Sequence, residues 1–516
     1  MKRWGCICLA ALVALSSLPG CSGIRTVKRT TATPENIDEL PQKARFLKAH
    51  MRDGSLYVLD SWKVLPGDSA VEGTGERRDV NRDAVGGGPF VIPIDSVALF
   101  ETNVVQTSPA MIPYTVLLVG TVAGVVYCIT NPKACYGSCP TFYAEDGPRD
   151  LVQAESFSNS VAPFLEDTDV DALYRVTPSG STLRLRVTNE ALETHVIRRA
   201  DVMAAPRPTN GRVARTVDGE YWEIQDWSPA SPARGPEGDC TAALAAFDRI
   251  ERFSLADSTD LATPETLELE FRDLPPGPHS LVIAARQTLV TTYLYYQTLA
   301  FMGNSAAAWM AALERQGTTL RSLATGLGRE LGSIQVSVLD KDGTWISAGE
   351  AGETGPIATD VHLVRLPDAG VTPMRVRLRM ARGVWRLDYV ALAALGERVT
   401  PIRLPPARVT RDGALSVAAS EALADSLGSL VTLPGDSYLL EYPLPPSPER
   451  YEYFLEARGY YLEWLREEWL KEENPGRARQ IFLDPKGALR ALAPEFKRAE
   501  PQMESLFWAS RYENSK

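Results

Sequence analysis

Apolar and polar residues alternate along much of this chain, a pattern typical of β-strands with one buried face. The stretch from Thr182 to Ala205 alternates strongly and predicts a pair of strands. In MRVRLRMA, Arg375, Arg377 and Arg379 occupy one face of a predicted strand, and apolar residues occupy the other. The segment SIQVSVLDKDGTWISAGE predicts a hairpin with its turn at 340–343. These patterns predict a mainly β protein.

The chain has 516 residues, which is too long for one hydrophobic core and predicts several domains. We expect a small SH3-like barrel, β-sandwich or jelly-roll domains, helical insertions and a helical C-terminal region. The predicted boundaries are 1–20 for a signal peptide, 21–45 for a lipidated tether, 46–102 for a small β-barrel-like domain, 103–132 for an uncharged apolar segment, 133–290 for a β-sandwich-like domain with disulfides, 291–331 for a helical segment, 332–400 for a jelly-roll-like domain and 401–516 for a mostly helical region.

The stretch SPERYEYFLEARGYYLEWLREEWLKEENP, Ser447–Pro475, is predicted to be one amphipathic helix. Its tyrosines, tryptophans and leucines are mostly three or four residues apart, which is the spacing of one helical face. Asn474 and Pro475 are expected to end this helix.

The apolar segment contains no charged residue from Thr102 to Pro132. Its centre, Met111–Ile129, is long enough to span a bilayer as a helix. Pro113 and the many valines favour a second interpretation, a buried helix or strand pair. We expect the buried form and keep membrane association as the alternative.

The N-terminus, MKRWGCICLAALVALSSLPGC, has a short basic region followed by an apolar run, as in secretory signal peptides. Its end, Leu18–Cys21, resembles the lipobox of bacterial lipoproteins. That resemblance implies cleavage before Cys21, lipidation of its thiol and a membrane anchor. Ser22 follows without an acidic retention signal, so the resemblance implies the outer membrane, with the chain facing the periplasm or the cell surface.

The formal net charge of −11 argues against nucleic acid as a partner. The four histidines are far apart in sequence, which lowers the expectation of zinc or histidine-based catalysis. The sequence has no G-x-S-x-G, P-loop, Rossmann or H-E-x-x-H motif. We therefore expect no cofactor.

Four cysteines remain besides the signal-peptide pair and Cys21. They are Cys128, Cys135, Cys139 and Cys240. Outside the inner membrane the compartment is oxidising, so two disulfides are expected rather than a metal or redox site. Three pairings are open, and Cys135–Cys139 with Cys128–Cys240 is preferred, because Gly137 permits a tight turn. The stretch CYGSCP also resembles a Cys-aromatic-Gly-x-Cys-Pro signature of small bacterial envelope domains without assigned activity.

Two acidic stretches are candidates for further chemistry. Glu166, Asp167, Asp169 and Asp171 resemble the start of a calcium loop, although Ala172 replaces the glycine that an EF-hand needs. The alternative is a solvated acidic loop. Glu193 and His195 share one face of a predicted strand, as a metal or acid–base pair would, or as part of a polar sheet face.

The strand WRLDYV, Trp385–Val390, loosely resembles the closing strand of galactose-binding-like jelly rolls over about 60 residues near 331–395. The resemblance implies carbohydrate binding, for which Trp345 and Trp385 are the candidate residues. Together these features predict a lipid-anchored, non-enzymatic envelope protein with a structural or protein-interaction role. The alternatives are a protein that binds carbohydrate or peptidoglycan, and a hydrolase with unrecognised carboxylates. The expected partners are the membrane, through Cys21, and other envelope proteins, with a glycan as a further candidate.

Overall fold

The computed structural model describes residues 24–108, 139–303, 306, 326–463 and 472–509, with short gaps at 33, 42–43, 45, 52–54, 66, 68, 79–83, 147–148, 162, 177, 179, 192, 353–354 and 426–427. The chain forms two compact units, the first within residues 1–126 and the second from Tyr127 onwards. Most described residues lie in β-strands, which confirms the predicted mainly β, multi-domain class with a helical C-terminal part.

The first unit is one six-stranded antiparallel sheet, sheet A, in the order β1-β6-β2-β3-β4-β5. Its apolar core includes Leu47, Leu59, Val71 and Phe100. The prediction of a tether over residues 21–45 was wrong in part, because residues 24–32 form a strand that pairs with β6 along its whole length. The strands are β1 (Ile24–Ala32), β2 (Leu47–Met51), β3 (Leu56–Val64), β4 (Ala70–Arg78), β5 (Ala84–Pro93) and β6 (Val97–Ser108).

The second unit contains four further sheets and five α-helices among the described residues. Its strands are β7 (Thr141–Asp146), β8 (Arg149–Glu155), β9 (Asp167–Ala172), β10 (Thr182–Thr188), β11 (Glu193–Pro206), β12 (Gly211–Thr216), β13 (Tyr221–Pro229), β14 (Ala233–Gly235), β15 (Gly238–Asp239), β16 (Arg252–Phe253), β17 (Pro264–Phe271), β18 (His279–Gln287), β19 (Ile334–Leu339), β20 (Trp345–Ala351), β21 (Asp360–Arg365), β22 (Met374–Ala381), β23 (Trp385–Val399), β24 (Ile402–Leu404), β25 (Arg408–Arg411), β26 (Ala414–Leu415), β27 (Leu430–Thr432), β28 (Ser437–Pro443) and β29 (Tyr451–Glu463). The helices are α1 (Val290–Met302), α2 (Gly326–Leu331), α3 (Val417–Ala424), α4 (Pro475–Leu483) and α5 (Pro485–Ala509).

Sheets B and C form one β-sandwich. We call it the outer sandwich because its two chain segments flank those of the other sandwich in sequence. Sheet B has the order β26-β25-β28-β10-β7-β8, and sheet C has the order β24-β11-β29-β9 with β27 also paired to β11. Their facing side chains share one apolar core, including Phe142, Leu185, Leu440 and Leu455. Helix α3 adds Leu423 to the same core.

Sheets D and E form a second β-sandwich, the inner sandwich, whose residues lie between the two segments of the outer sandwich in sequence. Sheet D has the order β13-β12-β21-β18-β23-β16, and sheet E has the order β15-β14-β17-β22-β19-β20. Leu281 and Leu387 of sheet D share a core with Leu267 and Val376 of sheet E. Helices α1, α4 and α5 bury their apolar residues against this core.

Sheets C and D also pack against each other, so the second unit is a stack of four sheets. Met203 and Phe454 on sheet C share an apolar cluster with Val282 and Leu363 on sheet D. Sheets C and D are therefore buried on both faces, whereas sheets B and E each have an outer face.

Buried charges join sheets C and D. Arg212 of β12 forms two hydrogen bonds to the carboxylate of Glu452 on β29, at 2.8 and 2.9 Å. Arg175, which precedes β10, contacts the fully buried carboxylate of Asp388 on β23 at 2.7 Å. These bonds compensate charges that the packed sheets remove from water.

The inner sandwich is inserted into the outer one. Residues 141–206 and 402–463 build sheets B and C, and residues 211–399 build sheets D and E. The predicted boundaries at 290 and 332 were therefore wrong, because strands from both sides of residues 291–331 pair within the same sheets. The boundary at 400 coincides with the end of the inner sandwich, but the region after it is not mostly helical, since residues 402–463 contain β24 to β29. The predicted hairpin around 340–343 is confirmed by β19 and β20.

The predicted helix at Ser447–Pro475 was wrong. Residues 451–463 form β29, which pairs with β11 and β9 at the centre of sheet C. Tyr453 and Leu455 pack into the outer sandwich while Phe454 packs towards sheet D. Asn474 and Pro475 begin a helix rather than end one, since Asn474 caps α4 by accepting from the amide of Arg477.

The helical prediction for 291–331 agrees with α1 and α2. Most of the apolar segment 103–132 lies outside the described residues, apart from the end of β6. Within the part of the chain that the structure describes, no helix has the length and apolarity needed to cross a bilayer.

Candidate functional site

Three of the predicted site residues, Cys21, Cys128 and Cys135, lie outside the described residues. Cys139 and Cys240 are buried free thiols among the described residues, and the partners predicted for them, Cys135 and Cys128, lie outside those residues. They lie in different cores, Cys139 in the outer sandwich and Cys240 in the inner one. Packing accounts for both positions.

The Cys139 thiol is poorly suited to nucleophilic chemistry. Burial raises its pKa well above the usual value, and the charges of Glu155 and Glu193 raise it further. Its Sγ lies 3.8 Å from the carbonyl oxygen of Ser158. Because the thiolate is the reactive form, a protonated thiol in these surroundings is inert.

The Glu193–His195 pair is present and fully buried. Its Nε2–Oε1 distance is 2.6 Å, and the two residues share a face of β11, as the sequence predicts. Asn189 donates to the backbone carbonyl of Glu193, and the ring of Tyr461 lies edge-on to His195. Both residues lie on β11, so the pair is a contact within one strand in the interior of the molecule, where the polar-face interpretation needs no metal or substrate.

The predicted calcium residues do not converge. Glu166 bonds to Arg458 at 2.7 Å, and Asp169 accepts from the amides of Phe157 and Val170. Asp167 is exposed, whereas Asp171 is buried. No group of three or more metal-ligating side chains with suitable geometry occurs among the residues that the structure describes.

Asp171 instead belongs to an acidic cluster made of Asp169 and Asp171 on sheet C, Asp360 on sheet D and Glu155 at the end of β8 in sheet B. Burial is the main cause that raises the pKa of Asp171 well above its usual value, and the charges of Asp169, Asp360 and Glu155 add to it. Asp360 accepts from the amide of Ala172, whereas Oδ2 of Asp171 has no hydrogen-bond partner among the described residues. The ionised form of Asp171 is therefore unfavourable in the folded protein.

We predict that Asp171→Asn stabilises the protein at neutral pH. A carboxyl whose pKa is raised on folding lowers the free energy of unfolding as the pH rises above its ordinary pKa of about 4. The loss is about 1.4 kcal/mol for each pH unit that separates the folded and unfolded pKa values. The amide is isosteric and uncharged, so the gain should be largest at pH 7 to 8 and shrink towards pH 4. Urea denaturation across this pH range measures it.

Asp239→Asn is the control with the opposite sign. Hydrogen bonds from Thr241 lower the pKa of this exposed carboxyl, so its charged form stabilises the fold above its ordinary pKa. An Asp171→Asn protein that is less stable than wild type at pH 8 would contradict the assignment.

The two candidate carbohydrate residues have different environments. Trp385 is 1% exposed and belongs to the core of the inner sandwich, so its assignment as a carbohydrate contact was wrong. Trp345 lies half-buried on β20 at the edge of sheet E, and the guanidinium of Arg377 stacks 3.9 Å from its ring centroid.

The outer face of sheet E carries what we call the arginine row, Arg375, Arg377 and Arg379 on β22. The predicted alternation is confirmed, since the intervening residues are buried. Arg375 and Arg377 share the carboxylate of Glu268, each at 3.0 Å, and Arg379 donates to the amide oxygen of Gln335. The hydrogen bond from Arg377 lowers the pKa of Glu268, which keeps it charged.

A shallow depression of about 400 Å³ borders the arginine row on the same sheet. It is lined by Arg234, Gly235, Pro236, Pro264, Glu265, Thr266 and Glu268. Because Arg234 and Arg377 both pair in register with Glu268, the depression and the row are neighbours across strands β14, β17 and β22.

Residues 248–255, the inverted segment, form a second unusual surface. Ile250, Phe253 and Leu255 are 64%, 43% and 50% exposed, whereas the intervening Glu251 and Arg252 are largely buried. Apolar residues outside and charges inside reverse the usual distribution. This segment could not be predicted from the sequence, because its short run of mixed apolar and charged residues has neither helical nor strand periodicity.

Comparison with known proteins gives no family for this chain. No family model and no curated protein matches it. A β-porphyranase of glycoside hydrolase family 86 from Bacteroides plebeius is similar over 45% of this chain and 37% of its own, with 9% identity and a TM-score of 0.17. The α-xylosidase of family GH31 from Xanthomonas citri is 10% identical over 85% of this chain and 37% of its own, with a TM-score of 0.13. The structure of infectious bursal disease virus, Gx strain, is 9% identical over 94% of this chain and 89% of its own, with a TM-score of 0.13.

The chain thus spans 37% of the length of the first two structures that it resembles, and all three TM-scores are low. The class that the fold defines is a mainly β, multi-domain protein whose second unit is a nested double sandwich.

Proposed function

We propose that the protein is a lipid-anchored component of the bacterial cell envelope with a structural or protein-interaction role and no catalytic activity. The anchor is Cys21, and the destination is the outer membrane. The lipobox-like sequence LPGC after an apolar run supports the anchor. The exposed apolar residues of the inverted segment are the observation that supports the interaction role.

The inverted segment is held rigidly. Glu251 accepts two hydrogen bonds from Arg286, at 2.6 and 2.7 Å. Arg252 bonds to the buried Glu265 at 2.7 Å. The backbone amides of Asp248 and Arg249 donate to Asp388 at the start of the segment. A surface fixed in this way loses little conformational entropy when a partner binds.

The exposed side chains supply the apolar contact area of such a surface. Phe253 keeps its ring outside the core, with the guanidinium of Arg386 stacked 3.7 Å from its centroid. Ile250 and Leu255 flank it in sequence, and both are exposed. Exposed apolar side chains supply the centre of many protein interfaces, and Phe is among the residues enriched there.

A photoreactive residue at Phe253 tests the interaction role in intact envelopes. We expect it to crosslink to a defined envelope protein, and Ile250→Ser with Leu255→Ser should abolish that product because they remove apolar contact area. Val417, an exposed apolar residue on α3, is the control position and should give no such product. Equal crosslinking at both positions, or no effect of the serine variants, would contradict the proposal.

The anchor has its own test. Cys21→Ser should shift the protein from the membrane fraction to the soluble fraction, because the thiol that would take the lipid is absent. Cys139→Ser, which changes a thiol far from the N-terminus in sequence, should leave fractionation unchanged. Membrane retention of Cys21→Ser would contradict lipid anchoring.

A further inference from the structure

We propose that the outer face of sheet E binds an anionic polysaccharide along the arginine row. This inference goes beyond the proposed function and does not depend on it, since the face differs from the inverted segment. The ligand class follows from three features of the face: its charge, the regular spacing of its arginines and its stacked aromatic residue.

The arginine row makes this face of sheet E positively charged. The row carries three positive charges, and the carboxylate that bonds to it, Glu268, supplies one negative charge. The neighbouring Glu270 bonds to Arg272 instead, at 2.8 Å. A local positive excess on a chain of net charge −11 is unusual and is complementary to an anionic ligand.

The arginines are spaced to contact a repeating ligand. Residues two apart on one face of a strand lie about 7 Å apart, so Arg375, Arg377 and Arg379 form a straight line along β22. A guanidinium recognises planar carboxylate, sulfate or phosphate groups through paired hydrogen bonds. Such groups recur along an acidic polysaccharide.

Trp345 supplies the surface for a sugar ring. Its indole is fixed by Arg377, whose Nε is buried and has no hydrogen-bond partner among the described residues. Arg377 therefore acts as a positioning residue for the tryptophan, and Arg375 and Arg379 are the more accessible of the row. The amide of Gln335, the hydroxyl of Thr266 and the adjoining depression add polar groups that suit sugar hydroxyls.

Binding is measured with the purified full-length protein by affinity electrophoresis in gels that contain dextran sulfate, polygalacturonate or neutral dextran. We expect retardation by the two anionic polymers and none by dextran. Arg375→Gln and Arg379→Gln should each weaken binding about tenfold, because each removes a charge-assisted hydrogen bond. Trp345→Ala should weaken it as well, and Trp345→Phe should restore most of it.

Arg184→Gln is the matched control, because Arg184 lies on the outer face of sheet B and pairs with Glu441 there. It removes the same charge and should leave retardation unchanged. Poly-L-glutamate tests whether charge alone is sufficient. Equal binding of poly-L-glutamate, an equal effect of Arg184→Gln or no effect of the sheet E variants would overturn the proposal, and none of these results bears on crosslinking at Phe253.

Discussion

Replacing Trp385 with alanine should lower the free energy of unfolding by about 3–5 kcal/mol, because the change opens a large cavity in a core that cannot close over it. The side chain is 1% exposed and packs between both sheets of the inner sandwich and its helices. Urea denaturation followed by circular dichroism measures the loss.

Two further variants test whether the loss comes from the buried position of Trp385. Trp385→Phe should cost much less, since it keeps an aromatic ring and the indole Nε1 has no hydrogen-bond partner among the described residues. Trp345→Ala should lower stability by less than about 1 kcal/mol, the usual range for a residue outside the core. Similar losses for Trp345→Ala and Trp385→Ala would mean that the two tryptophans do not differ as described.

Replacing Arg252 with methionine should lower the free energy of unfolding by about 3–5 kcal/mol. The Arg252 and Glu265 side chains are 3% and 1% exposed, and Glu237 binds the same guanidinium from the surface. Methionine fills similar space but leaves the carboxylate of Glu265 buried without its cation. The free energy of unfolding from urea denaturation at pH 7 is the measurement.

Arg272→Met is the matched control for this prediction. Arg272 pairs with Glu270 at 2.8 Å, but its side chain is 70% exposed, and exposed ion pairs contribute about 0–1 kcal/mol. The double variant Arg252→Met with Glu265→Gln should recover part of the loss, because it removes the uncompensated charge. Failure of the double variant to recover any stability would mean that packing rather than charge dominates.

Strands with one buried face could be predicted from the sequence, because their apolar and polar residues alternate. That was so for β19 and β22 of sheet E. The error at β29 has a physical cause. This strand is buried on both faces, so it lacks alternation, and its charged residues are paired inside, as in Arg212–Glu452. The run of tyrosine and phenylalanine, which favours strands, was the signal for the correct assignment.

The same distinction applies to the candidate sites: local patterns could be predicted, and contacts between distant strands could not. Local patterns located the arginine row and the shared face of Glu193 and His195. The acidic cluster could not be predicted, because Asp171 and Asp360 meet through the packing of two sheets that are distant in sequence. Trp345 and Trp385 could not be told apart, since both follow a turn and begin a strand.

The insertion of one sandwich inside another also fixes the order in which the chain becomes stable. Leu185 of β10 pairs with Leu440 of β28, and Val202 of β11 pairs with Leu455 of β29, so these partners are synthesised long after the first strands. Closing so long a loop is costly unless the intervening residues 211–399 have already folded and brought its ends together. Until then β10 and β11 present unpaired edges and aggregate readily. A holdase chaperone that covers these edges during this interval would therefore raise the yield of folded protein.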